Sequence, residues 1–281
     1  MIRFFSPGSI TLFFEIKDQN KNLLKRGSRG VGITTSLGAL TYVKKARDTE
    51  VFLNNKKIKA SIQHTILKLL NLNANVYTDT LLPPQHGFGM SAAAAISTAL
   101  ALNHEFKLNL SYFETLQIAH RAEIMNHTGL GDIATQSMGG FTIRLKEGAL
   151  PYGIVDRVMV DSKLTILALD GEVETKSIIT DPFYKKKITF YGKNALDMFL
   201  KNKNIEYAFE LGVKFSKSIG FLTGEMEEII KKSEKYGFAT ISLIGKSIVA
   251  IGDSQNLQDL FERYGTVYMT DIYNGYPKIA P

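Results

Sequence analysis

The chain has 281 residues, 44% hydrophobic and 22% charged, with a net charge of +7, enough for one large domain or two packed ones. It contains no cysteine, which excludes thiolate metal centres and disulfide frameworks, and no apolar run long enough to span a membrane. The lysines are scattered, with Lys185–Lys187 the tightest group and no nucleic-acid motif nearby, so the positive charge is expected to favour small anionic substrates over nucleic acid. No signal-peptide pattern is visible, and a cytoplasmic protein is expected.

In chain order, Arg3-Phe4-Phe5 and Ile10–Ile16 read as strands on either side of the turn signal Ser6-Pro7-Gly8-Ser9. Lys17–Lys25 reads as a polar loop. Arg26–Gly30 reads as a second, basic and glycine-rich loop, suited to a carboxylate or phosphate or to a plain surface turn. Gly32–Ser36, Leu40–Lys44 and Glu50–Leu53 are strand-like, Ala60–Leu72 has apolar residues at helical spacing, and Val76–Leu82 is a strand. Pro83–Asn103 then combines Gly87, Gly89 and Ser91 with an alanine run, Ala92–Ala95, that predicts a helix.

A second helix opens at Ser111, where Ser111 and Glu114 form a capping-box pattern, and carries Glu123 near its end. His127–Gly131 is a loop, Asp132 starts a short segment that ends at Gly139-Gly140, and Phe141–Leu145 is a strand. Pro151 and Gly153 suggest a boundary that divides the chain into 1–150 and 151–281. Beyond it, Leu164–Asp170 is a strand and Thr175–Thr180 a helix or loop. Helices are expected at Ala195–Lys201, Glu206–Ile219, Glu225–Tyr236 and Leu257–Tyr264, with strands at Thr240–Leu243, Ile248–Ile251 and Val267–Asp271. Antiparallel-looking pairs among these favour an α+β class over a doubly wound sheet.

The stretch at residues 83–103 carries the chemistry. A glycine-rich loop that feeds a helix N-terminus offers open N–H groups and the positive end of a dipole to an anion, with phosphate the obvious candidate. A Walker loop is excluded, because no Gly-Lys-Ser/Thr follows Gly89. Gly87, Gly89 and Ala92 match the dinucleotide fingerprint in letters, but two prolines precede them and no βαβ series follows. The third reading is a non-Walker phosphate loop in a kinase, where Ser91 can also ligate magnesium. Glu123 and Asp132 are the carboxylates available as metal ligand and base. Taken singly, they also read as an exposed helix glutamate and a helix N-cap.

Pro83-x-x-x-Gly87-x-Gly89-x-Ser91-Ala92-Ala93 resembles the central signature of the GHMP kinases, with Phe88 and Met90 in place of the usual leucine and first serine. Five stretches resemble the archaeal pantoate kinase branch: Ser6–Thr11 running on to Ile16, Gly27–Gly30, His86–Ala94, Gly129–Ala134 and Gly139–Arg144. The resemblance implies the GHMP kinase fold, with an N-terminal ribosomal-protein-S5-like domain and a C-terminal ferredoxin-like domain. It implies ATP bound by Pro84, His86, Gly87, Phe88, Gly89, Met90, Ser91, Ala92 and Ala93, and Mg2+ held by Ser91 and Glu123. Asp132 resembles the carboxylate that accepts the hydroxyl proton. Ser28, Arg144 and Thr175 match substrate-contacting positions. Arg29 is expected beside the substrate or the phosphates as a basic neighbour. The third glycine-rich motif of the superfamily is reduced here to Gly245 within Ala239–Ser247.

The implied activity is phosphorylation of (R)-pantoate to (R)-4-phosphopantoate in coenzyme A synthesis, by a homodimer, with no nucleic-acid or membrane partner. The alternatives are a GHMP kinase for another small hydroxy acid, mevalonate- or homoserine-like, and a catalytically silent ATP-binding regulatory protein.

Overall fold

In the computed structural model, which describes residues 1–171 and 173–280, two long antiparallel strands open the chain, β1 (Phe4–Lys17) and β2 (Gly27–Lys45). The expected turn at Ser6–Ser9 is instead part of β1, which passes through Pro7-Gly8 with a shift of register. Proline has no N–H to give the ladder, and a bulge absorbs that interruption without reversing the chain. Gly27–Gly30 of the expected loop at Arg26–Gly30 is likewise strand, paired to Lys17 back to Phe14. Here cross-strand pairing overrides the local turn signal of two glycines.

β3 (Val51–Leu53) and β4 (Lys56–Lys57) form a short hairpin, followed by α1 (Ser61–Leu70). β5 (Ala74–Thr80) pairs antiparallel with β2 and parallel with β3. Next come α2 (Met90–Glu105), α3 (Tyr112–Asn126) and α4 (Asp132–Met138). α2 is buried on almost all sides, because its alanines let β1 and β2 approach one face while α1, α3 and α4 cover the other. α3 starts with the capping box read from the sequence: Glu114 N–H donates to Ser111 Oγ, and Ser111 N–H donates to the Glu114 carboxylate. β6 (Phe141–Lys146) pairs with β2, setting Arg144 opposite Gly30, and β7 (Ile154–Val158) pairs with β6. The first sheet therefore continues past residue 150.

The second sheet has the order β11-β8-β10-β9 and is antiparallel throughout. Its strands are β8 (Lys163–Ala168), β9 (Gly237–Ile241), β10 (Ser247–Gly252) and β11 (Thr266–Asp271). Between and around them lie α5 (Thr175–Ile179), α6 (Pro182–Phe199), α7 (Ile205–Ile219), α8 (Gly224–Ser233) and α9 (Ser254–Phe261). α6 begins well before the expected Ala195. Asp181 caps it by accepting from the N–H groups of Phe183 and Tyr184, and Pro182 occupies the first turn, where a missing N–H costs nothing. β12 (Lys278–Ile279) returns to pair with β1.

β1 packs against α2 and also against α6 and α7. Its apolar residues, Ile10, Leu12, Phe13 and Phe14, form a near-continuous run because they are buried on both faces. They join the second sheet in one core, while a second core lies among α1, α2 and α3. Among the described residues, no helix is long and apolar enough to cross a membrane.

Candidate active site

The loop before α2 ends at Gly89, whose φ of 60° and ψ of 25° are left-handed and suit glycine. Gly89 has no side chain to cap the helix, so the first-turn N–H groups of α2 stay open to an anion. Protein donors hold the loop's carbonyls. Val173 N–H donates to Gln85 O (3.1 Å) and Ser9 N–H to Phe88 O (2.9 Å). Ser247 Oγ donates to His86 O and Ser242 Oγ to Gly87 O, both at 2.5 Å. Gly245 packs directly on this loop, and a Cβ there would lie 2.1 Å from the His86 carbonyl carbon. The reduced third motif therefore braces this loop from behind.

Ser91, in the first turn of α2, donates its hydroxyl to Glu123 Oε1 at 2.5 Å, and Thr128 Oγ1 donates to the same oxygen at 2.8 Å. Glu123 is buried at the end of α3, and burial pushes its carboxyl up to about 7 against the lowering effect of those two donors; the nearby Asp132 charge raises it further. Among the described residues, no lysine or arginine forms an ion pair with it. Gly129 makes room for this corner: a Cβ there would lie 2.2 Å from Glu123 Oε2 and 3.4 Å from Asp132 Oδ2. The two carboxylates thus converge on one glycine.

Asp132 begins α4 and accepts from Ser9 Oγ at 2.9 Å. Burial raises its pKa, opposed by the Arg144 charge and by hydrogen bonds from Ser9 and Thr11. Arg144 is 1% exposed, a rare state for a guanidinium, and burial lowers its pKa to about 10. One of its nitrogens donates to Thr135 Oγ1 at 2.5 Å, and its Nε has no partner among the described residues. Ser28 Oγ and Arg144 Nε both approach Gly131, within 2.3 and 2.7 Å of where its Cβ would be. A buried, incompletely satisfied guanidinium beside a hydroxyl is a ready receptor for a carboxylate.

These groups share a cavity of about 730 Å³, a size suited to a nucleotide and a small substrate. Pro84, Gly87, Phe88, Gly89, Met90 and Ser91 line it, as do Ser28, Asp132, Arg144 and Thr175. Five of the residues expected from the sequence sit elsewhere. Glu123 lies behind Ser91, Ala92 and Ala93 are fully buried in the cores, and the His86 ring stacks on Phe88 with Nδ1 2.8 Å from Pro84 O. Arg29 is held away from the cavity by Glu15 (3.2 Å) and the Leu145 carbonyl (2.9 Å). Sequence reading missed Ser9, Thr128 and Gln136. Ser9 was absorbed into a turn signal, and only Thr128, five residues after Glu123, is close enough in sequence to have been suspected.

Residues 56–140 match the family model for the GHMP kinases N terminal domain. The pantoate kinase of Methanocaldococcus jannaschii is 33% identical over 275 residues, covering 96% of this chain and 99% of the relative. That of Thermococcus kodakarensis is 28% identical, covering 100% and 98%. Among solved structures, a phosphotransferase described as related to the CoA biosynthesis pathway superposes with a TM-score of 0.89 at 27% identity, covering 99% of this chain and 98% of that one. Mevalonate-3-kinase from Thermoplasma acidophilum, at 14% identity, shares the fold with a TM-score of 0.66, covering 100% and 98%. The chain belongs to the pantoate kinase family, within the GHMP kinases.

Proposed function

We propose that this protein is an ATP-dependent kinase that phosphorylates the primary hydroxyl of (R)-pantoate, giving (R)-4-phosphopantoate for coenzyme A synthesis in the cytoplasm. The observation that carries this reading is the meeting of Asp132 and the buried, partly unpartnered Arg144 in the cavity headed by the α2 N-terminus. The open N–H groups of α2 and the loop Pro84–Ser91 hold the ATP phosphates, and the positive helix end stabilises them. Arg144 pairs with the pantoate carboxylate, with Ser28 and Thr175 as hydroxyl partners. That anchorage presents the substrate hydroxyl to Asp132. Its oxygen attacks the terminal phosphorus, its proton passes to Asp132, and ADP leaves.

The Ser91–Glu123 corner fits Mg2+. Its donors are hard oxygens, and among the described residues the buried carboxylate has no protein cation in contact. Magnesium typically takes one or two carboxylates and completes its shell with phosphates and water. When bound, it would neutralise the charge of the ATP phosphates. Glu123→Gln and Ser91→Ala are each expected to raise the Mg2+ concentration for half-maximal rate by at least roughly tenfold, read from a metal titration at saturating ATP. An unchanged titration midpoint would remove these residues from the metal site.

Gly245→Ala should act on the nucleotide side. The added methyl collides with the loop backbone, and the KM for ATP is expected to rise by roughly tenfold or more with little change in the KM for pantoate. The test of the whole reading is ADP release with pantoate, mevalonate and homoserine in parallel. Turnover is expected with pantoate. Release only with one of the other alcohols would overturn the substrate assignment and leave the kinase intact, and no release with any of them would point to a silent ATP-binding protein.

A further inference from the structure

Behind the cavity, a buried polar chain connects the phosphate loop to Asp132. Gln136, fully buried on α4, donates its Nε2 to Ser9 Oγ at 2.9 Å and to the Gly89 carbonyl at 2.8 Å. Ser9, fully buried on β1, donates its Oγ to Asp132 Oδ1 at 2.9 Å, while its backbone N–H holds the Phe88 carbonyl. The junction has no spare room: a Cβ on Gly89 would lie 2.2 Å from Ser9 Oγ and 2.7 Å from Gln136 Nε2.

Donor and acceptor chemistry gives this chain one direction. The Gly89 carbonyl can only accept, so the end of Gln136 that faces it is the amide nitrogen. The same nitrogen faces Ser9, which makes the serine oxygen the acceptor there and leaves its single proton for Asp132. The order is Gln136 to Ser9 to Asp132, with no reversed form that also satisfies Gly89.

Gln136 carries a second mark of a specific role. Its Oε1 is buried and has no partner among the described residues. A methionine would fill similar space without an unpaired buried acceptor, which folded proteins generally avoid. What glutamine supplies, and methionine cannot, is one amide nitrogen serving two acceptors on different elements.

We infer that Ser9 and Gln136 are positioning residues that tie the Asp132 carboxylate to the phosphate loop, fixing Oδ1 and leaving Oδ2 to face the acceptor hydroxyl. The group that receives the proton and the loop that holds the phosphates then stand in a fixed relation, set by hydrogen bonds rather than by the substrates. This rests on the reading of Asp132 as the proton acceptor. Neither Ser9 nor Gln136 touches substrate in it; both act through Asp132 and Gly89.

The test is a double-mutant cycle on the full-length protein, with kcat and KM measured separately and folding checked by thermal melting. Ser9→Ala is expected to lower kcat roughly 10–100-fold and leave the KM for ATP within about threefold, since the Gln136 bond to Gly89 and the Ser9 backbone bond both remain. Gln136→Met releases both ends, so kcat falls and the KM for ATP rises as well. Combining them should lower kcat little beyond the worse single variant, because residues in one hydrogen-bond chain are non-additive. Ser9→Cys, of similar size and with a weaker donor, should recover part of kcat.

A Ser9→Ala enzyme with kcat within about threefold of the parent, or losses that simply multiply in the double variant, overturns the proposal. If Ser9→Ala does not fold, Gln136→Met decides alone, and a folded variant with unchanged kcat rejects the tie. Asp132→Asn in the same assay separates the two readings. An inactive Asp132→Asn beside a fully active Ser9→Ala rejects the positioning role and keeps the base, while an active Asp132→Asn rejects both.

Discussion

Asp132→Asn is expected to lower kcat by roughly 10²–10⁴-fold, the usual worth of a positioned proton acceptor, while ATP and pantoate still bind with near-parental affinity. The substitution is nearly isosteric. Its amide oxygen can still accept from Ser9 Oγ, so the 2.9 Å contact and the start of α4 survive, but it cannot take a proton. The setting supports the role. Asp132 is a half-buried carboxylate whose pKa is raised by desolvation and held down by the Arg144 charge and the Ser9 and Thr11 hydroxyls. Single-turnover rates together with calorimetric binding of each ligand separate loss of chemistry from loss of binding. A variant that keeps kcat within about threefold would exclude Asp132 as the base.

Arg144→Met is expected to act in two ways. It removes the proposed partner of the substrate carboxylate, and it removes the charge that lowers the pKa of Asp132. Stripping one partner from a buried charge pair costs about 2–5 kcal/mol, so kcat/KM for pantoate should fall roughly 30- to 5,000-fold. With Arg144 gone, the pKa of Asp132 rises further, so the acid limb of the kcat profile should move to higher pH. Arg144→Lys keeps a charge but loses the two-pronged geometry, and should recover the pH profile better than the KM for pantoate. An Arg144→Met enzyme with unchanged KM for pantoate would place the carboxylate elsewhere in the cavity.

The parts of this site that follow local rules were readable from the chain. The alanine run and the two glycines announce α2 and its open end, and Ser111 with Glu114 announces α3, which carries Glu123. The Pro83–Ala93 signature and the stretches such as Gly129–Ala134 and Gly139–Arg144 carried the family resemblance, and with it the roles of Ser91, Glu123, Asp132 and Arg144. Where the reading failed, a distant partner had decided the local structure. Pro7-Gly8 resembles a turn, but pairing with β2 over most of the length of β1 holds it extended. Arg26–Gly30 resembles a loop for the same reason, and Arg29 turns away because Glu15 stands opposite it in the register. The first half of α6 begins with a proline and holds three consecutive lysines, and Ile188 is its one buried apolar residue, so it carries little apolar periodicity of its own. Ser9 and Gln136 leave no local signature, because 127 residues separate the two ends of their hydrogen bond.

The most direct test of the central claim is the identity of the phosphorylated product. Protein, ATP, Mg2+ and (R)-pantoate are incubated together, and the product is examined by phosphorus and proton NMR. The account predicts a phosphomonoester whose phosphorus couples to the two protons of the pantoate primary carbinol carbon, formed in step with ADP and lost in the Asp132→Asn variant. ATP consumed with no phosphorus on that carbon, or phosphate found on the secondary hydroxyl or the carboxylate, would contradict it.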